Sequence, residues 1–183
     1  SATLQNVNNN IIRNFSTPTT GTLNGIQNNT VAGTFQCKGN TISNFTTTVG
    51  GAGGFSANGI TWANANVDIS GNTIFSINNT GGTGGTINGI SASGSSTVYN
   101  NKVYSLSSTS TSTTVTGLNI SGSANSVYNN LIGNLTAPAS NNAVAISGIT
   151  LSGGTTSNVY FNTIYLPTLS STGAAFGASG IYM

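Results

Sequence analysis

The chain has 183 residues and a mass of 18.3 kDa, enough for a single domain spanning 1–183 with a substantial core and too little for several domains. Only Arg13, Lys38, Asp68 and Lys102 are charged, for a net +2. Three scattered cations cannot neutralise a row of phosphates or hold an anionic surface, and there is no run of about 18 apolar residues of the kind a membrane-crossing helix needs, so neither nucleic acid nor membrane insertion is expected.

Asn, Thr, Ser and Gly make up 107 of the 183 residues, yet 36% of the chain is hydrophobic and regularly placed, which argues for an ordered repeat rather than a disordered tract. In chain order, an Asn recurs at Asn10, Asn40, Asn72, Asn101, Asn130 and Asn162, with separations of 30, 32, 29, 29 and 32 residues. A period of about 30 signals a solenoid, propeller or array. Two residues after each anchor stand Ile12, Ile42, Ile74, Val103, Ile132 and Ile164; five after it stand Phe15, Phe45, Ile77, Leu106, Leu135 and Pro167. These mark a first strand.

A variable loop of Thr, Ser, Gly and Asn follows, and then a Gly with Ile or Leu after it, from Gly25-Ile26 through Gly180-Ile181. Apolar residues alternate on either side of that Gly, as at Ala57, Ile60 and Trp62, and predict a second strand. A third precedes the next anchor, with Val7, Cys37, Ile69, Val98, Val127 and Val159 three residues before it. Gly, Ser, Thr and Asn are poor helix formers, and a propeller blade needs four strands over about 40 residues. The expected fold is all-β: a parallel β-helix, or β-solenoid, of six coils with three short strands each. At about 4.8 Å per coil it forms a rod roughly 29 Å tall.

The anchor Asn is expected where strand three bends into strand one, a corner whose backbone angles Asn and Gly tolerate best. Stacked at every coil, its amide can bond the next and form a ladder that fixes register. The Val-Tyr-Asn-Asn segment (Val127 to Asn130), the Asn-Thr-Ile-Tyr-Leu segment (Asn162 to Leu166) and the Gly-Ala-Ser-Gly-Ile-Tyr ending from Gly177 carry a family likeness. They resemble the right-handed parallel β-helix repeats of large secreted and cell-surface bacterial proteins of adhesin or appendage type. The resemblance covers the whole chain and implies handedness and architecture, not an activity.

Chemistry is scarce. Some β-helix proteins cleave polysaccharides with clustered carboxylates, but with Asp68 alone no paired acid and base and no carboxylate calcium cage can form. There is no His, which removes Ser-His-Asp and Cys-His arrangements and ordinary His metal sites. No catalytic, metal or cofactor site is expected. The lone Cys37 lies in an apolar column and reads as a buried, inert thiol. Six Asn-x-Ser/Thr sequons, at Asn14, Asn28, Asn44, Asn78, Asn119 and Asn134, are no more than so much Asn, Ser and Thr gives by chance.

Residues next to inward columns point outward, which places Tyr99, Tyr128 and Tyr160 in one exposed column and Phe75, Tyr104 and Tyr165 in another, interrupted at Gly133. Such columns suit sugar stacking or lateral association of rods; the bland alternative is that they lie under the variable loops. Thr46 to Thr48 and Ser107 to Thr114 invite an ice-binding reading, against which the loop-length variation argues.

Ser1 to Val7 reads as a third strand with no partners before it, and Gly180 to Met183 as a second strand with no third after it. Joining these ends would complete a coil and extend an open filament, with Leu4 and Val7 meeting Ile181 and Met183. The expected role is a non-catalytic extracellular or cell-surface structural subunit or segment, stacking on copies of itself or on neighbouring coils of a longer chain in a fibre or appendage. A carbohydrate-binding module using the Tyr columns is the alternative. An ice-binding protein or a polysaccharide-cleaving enzyme is less favoured.

Overall fold

The computed structural model describes residues 4–18, 21–29, 33–48, 54–63, 66–167 and 169–183. Ser1 to Thr3, part of the expected opening strand, lie outside the described residues. The first coil consists of β1 (Leu4–Asn8), β2 (Ile11–Thr17) and β3 (Gly21–Asn28), the second of β4 (Thr34–Lys38), β5 (Thr41–Thr47) and β6 (Gly54–Trp62). The third has β7 (Asn66–Ser70), β8 (Thr73–Asn79) and β9 (Gly84–Ala92), the fourth β10 (Ser96–Tyr99), β11 (Lys102–Ser108) and β12 (Thr113–Ile120). The fifth has β13 (Ala124–Tyr128), β14 (Leu131–Thr136) and β15 (Ile146–Leu151), the sixth β16 (Thr156–Tyr160), β17 (Thr163–Tyr165) and β18 (Ala178–Tyr182).

Every third strand pairs in parallel, giving three six-stranded sheets: sheet 1 from β1 to β16, sheet 2 from β2 to β17 and sheet 3 from β3 to β18. The chain is therefore a β-solenoid of about six coils. The pairing register aligns the repeat column by column: Cys37 with Ile69, Ile42 with Ile74, Ile60 with Ile90. Across the middle coils these columns fill one continuous core, in which Ile42, Ile74, Ile90, Val98 and Leu118 are fully buried. Phe35 packs edge-on against Trp62 at 5.4 Å and Phe45 stacks on Phe15 at 5.0 Å, so the widest side chains concentrate in the first two coils.

Two bends not anticipated from the alternation shape the coils. In sheet 2, Ile42 and Phe45 both face inward although three residues apart, because Asn44 between them takes a left-handed backbone (φ 59°) and resets the phase. Asn14, Ser76, Ser105 and Asn134 repeat this bend. In sheet 3, Ala57 and Ile60 likewise both face inward, across Asn58 and Gly59. A Cβ at Gly59 would lie 2.6 Å from the Gly89 carbonyl oxygen and 2.6 Å from Ile74 Cγ2. The Gly column of strand two is thus set by close packing on the coil above: it is where sheet 3 crosses the Ile column of sheet 2.

Candidate functional site

The Asn ladder runs the height of the solenoid. Asn72 donates from its backbone N–H (3.0 Å) and its Nδ2 (2.9 Å) to Asn101 Oδ1, and Asn101 donates from the same two groups to Asn130 Oδ1, each at 3.0 Å. From Asn40 onward each Nδ2 also reaches back to the preceding coil, as from Asn101 to the Ile69 carbonyl at 2.9 Å. The same geometry joins Asn10 to Asn40 and Asn130 to Asn162. The corner itself corrects the expectation: the left-handed residue is the one before the anchor, namely Asn9, Gly39, Gly71, Asn100, Asn129 and Phe161. The anchor instead keeps an ordinary backbone and turns its amide inward, with Asn40, Asn72, Asn101 and Asn130 buried.

Further polar ladders went unread in the sequence. Asn88 donates to Asn58 and Asn58 to Asn24, each at 2.8 Å, and the row stops where Thr116 takes the next position. Thr47 donates to Asn79, whose Nδ2 donates to Ser108 and Ser110. Thr47, Ser108, Ser110 and Thr113 are fully buried, so these members of the Thr- and Ser-rich runs serve the interior rather than an outer surface.

The outward aromatics stand where alternation put them. Tyr99, Tyr128 and Tyr160 stack at 5.0 Å with planes within 7°, and Phe75 stacks on Tyr104 at 5.2 Å. Tyr165 is exposed but stands apart, because Gly133 occupies the rung beneath it. Stacking this close covers the ring faces: Tyr128 has a neighbour on both sides, so the column offers sugars chiefly ring edges and hydroxyls. Neighbouring groups strip water from the Tyr128 phenol and so push its pKa above the ordinary value, with the fields of Tyr99, Tyr160 and Asp68 adding to the rise.

Two of the four charges meet beside this column. Lys38 Nζ lies 2.8 Å from Asp68 Oδ2, with the side chains about a third exposed, and Tyr99 Oη donates to the same oxygen at 3.4 Å. The Lys38 ammonium is held above its usual range, first by its hydrogen bond to Asp68. Asp68 Oδ1 is shut in and has no partner. Next to the pair, the outer face of sheet 1 is hollowed into a groove of about 540 Å³. Cys37 lies behind this sheet, fully buried, its Sγ accepting from Asn40 Nδ2 at 3.5 Å. Burial pushes its thiol up to about 12, against a partial offset from that hydrogen bond.

At the ends, Val7 and Ile181 occupy inward columns, and Ile181 is 47% exposed because it is in the last coil. Met183 follows β18 and is 88% exposed. Leu4 pairs with the outward Thr34 and so lies on the outer side, while Gln5, paired with buried Phe35, takes the inward place. Among the described residues no group of three or more His, Cys, Asp or Glu could hold a metal ion. Comparison of the chain with family models, with curated proteins and with solved structures found no match.

Proposed function

We propose that the chain is a non-catalytic structural solenoid of an extracellular or cell-surface fibre or appendage, its coils continued by copies of itself or by further coils of a longer chain. The observation that carries this reading is the polarity of the Asn ladder. Each anchor from Asn10 to Asn130 donates to the Oδ1 of the coil above, so among the described residues the ladder ends on an acceptor without a donor at Asn10 Oδ1 and a donor without an acceptor at the Asn162 backbone N–H. The two ends are complementary, and the inward columns stop with them, half-covered, at Val7, Ile12, Ile164 and Ile181. A coil docked in the same orientation would satisfy both the ladder and the columns. Such a contact is heterologous and propagates without closing.

A mechanical or adhesive role suits an interior made of aliphatic columns and amide ladders, in which every coil is locked to its neighbours. The test is to image native material and measure chain length by mass spectrometry. Fibres of solenoid cross-section, built from 18 kDa subunits or from one longer chain, support the reading; isolated six-coil rods contradict it.

A further inference from the structure

From the outer face of sheet 1, the geometry points to a binding groove for an extended neutral glycan lying along the solenoid axis, with Asp68 at its floor. The floor is a column with one residue per rung: Gln36, Asp68, Thr97, Ser126 and Asn158 are successive register partners. At about 4.8 Å per rung it is roughly 19 Å long. One border is the row of Thr34, Asn66, Ser95, Ala124 and Thr156. Tyr99, Tyr128 and Tyr160 stand two residues beyond Thr97, Ser126 and Asn158 on the same face, outside the groove's lining.

The chemistry selects among partners. A nucleic acid needs a run of cations, and here the one cation, Lys38, is neutralised by Asp68. A protein partner brings aromatic and aliphatic anchors that need apolar pockets, and no floor side chain is apolar. What the floor presents is amides, hydroxyls and a carboxylate, repeated at a fixed step. That suits a polymer of hydroxyl-bearing units whose rise is close to the rung spacing.

Asp68 is the pivot. Its Oδ2 already accepts from Lys38 and Tyr99, while Oδ1 has no donor. An unsatisfied carboxylate oxygen is costly, and because Oδ1 is enclosed a sugar hydroxyl would reach it only as the carboxylate turns about its terminal torsion and Oδ2 leaves Lys38 and Tyr99. Below Tyr99 the same column holds Ser70 and then Lys38, whose ammonium reaches up to the carboxylate that Tyr99 also binds.

The experiment is affinity gel electrophoresis of the folded chain through soluble xylan, glucomannan, mixed-linkage β-glucan and amylose, with pull-down on cellulose and chitin. At least one of these should retard or capture the protein. Ser126→Arg, which fills the groove from an outward position, should abolish retention. Asp68→Asn, which keeps the shape and removes the charge, should weaken it about tenfold. Thr150→Arg, on the outer face of sheet 3, should leave it unchanged. The inference is overturned if no glycan is retained, if Asp68→Asn binds like the parent chain, or if Thr150→Arg reduces binding as much as Ser126→Arg. Should Ser126→Arg fail to fold, Asp68→Asn decides the matter.

Discussion

Ile74 and Ile12 hold the same place in the repeat, two residues after an anchor Asn, yet Ile74 is fully buried and Ile12 only half so. Phe45 and Phe15 differ in the same way: they stack on each other at 5.0 Å, but Phe45 has a coil on both sides and Phe15, at the end, is 41% exposed. Asn72 is closed off from solvent, whereas Asn10 is exposed. Nothing local distinguishes the members of each pair. Burial here is conferred by the coils above and below, which is the nearest-neighbour logic of a one-dimensional array.

That contrast can be broken by paired substitutions read by chemical denaturation. Ile74→Ala should cost about 4 kcal/mol, as a cavity in a fully packed column, and Ile12→Ala no more than about 2 kcal/mol, since part of its surface is already wet. Equal losses would mean that stacking does not set the energetics. Asn101→Ala should cost about 3 kcal/mol, because it removes the acceptor of two Asn72 donors and strands the Ile69 carbonyl. Asn10→Ala, which keeps the backbone N–H bond to Asn40 and loses only the Nδ2 bonds to Asn40 Oδ1 and the Asn8 carbonyl, should cost about 1 kcal/mol or less.

Glycine sharpens the contrast further. Gly59→Ala must displace Ile74 or the Gly89 backbone and should cost on the order of 1–3 kcal/mol. A Cβ on Gly180 meets nothing within 4 Å, so Gly180→Ala should leave the melting temperature of the unassembled chain unchanged. The effect of pH is confined to the alkaline side. Cys37 is held at about 12 when folded against an ordinary value of 9.0, so its contribution to stability is complete below pH 9 and is lost as pH rises from there towards 12. Melting temperature should therefore be flat from pH 5 to 8 and fall above 9, and Cys37→Ser should flatten the alkaline limb.

The columns and the ladder were legible because each coil repeats the same demand: an aliphatic must face inward at Ile42, Ile74 and Val103, and an amide must meet the next amide at Asn72 and Asn101. The bends were less so. The three-residue spacing from Ile42 to Phe45 already departed from strict alternation, and the Asn at position 44 was the signal of a left-handed residue between them, but Ser76 and Ser105 do the same work without such a signature. Asn9 and Asn100 hid the true corner residue, since an Asn stands beside an Asn and only the backbone tells which one bends. The groove was illegible for another reason: Gln36, Thr97, Ser126 and Asn158 are ordinary polar residues in a polar chain, and only their shared register beside Asp68 and the Tyr column makes them a surface.

The ends of the stack are where the proposed assembly can be tested most directly. In every interior coil the Gly of sheet 3 is pressed by the Gly carbonyl and aliphatic side chain of the coil above, as Gly148 is by Gly180 and Ile164. A coil docked on the top would press Gly180 in the same way, so Gly180→Ala should fold normally and fail to stack. Sedimentation and small-angle scattering of the purified chain over a concentration series measure this. Rods should lengthen in steps of roughly 29 Å, six coils at about 4.8 Å each, with Gly180→Ala remaining a single 18.3 kDa rod whose melting temperature matches that of the unassembled parent. A parent chain that stays a single rod at every concentration, or a Gly180→Ala variant that assembles as the parent does, would contradict it.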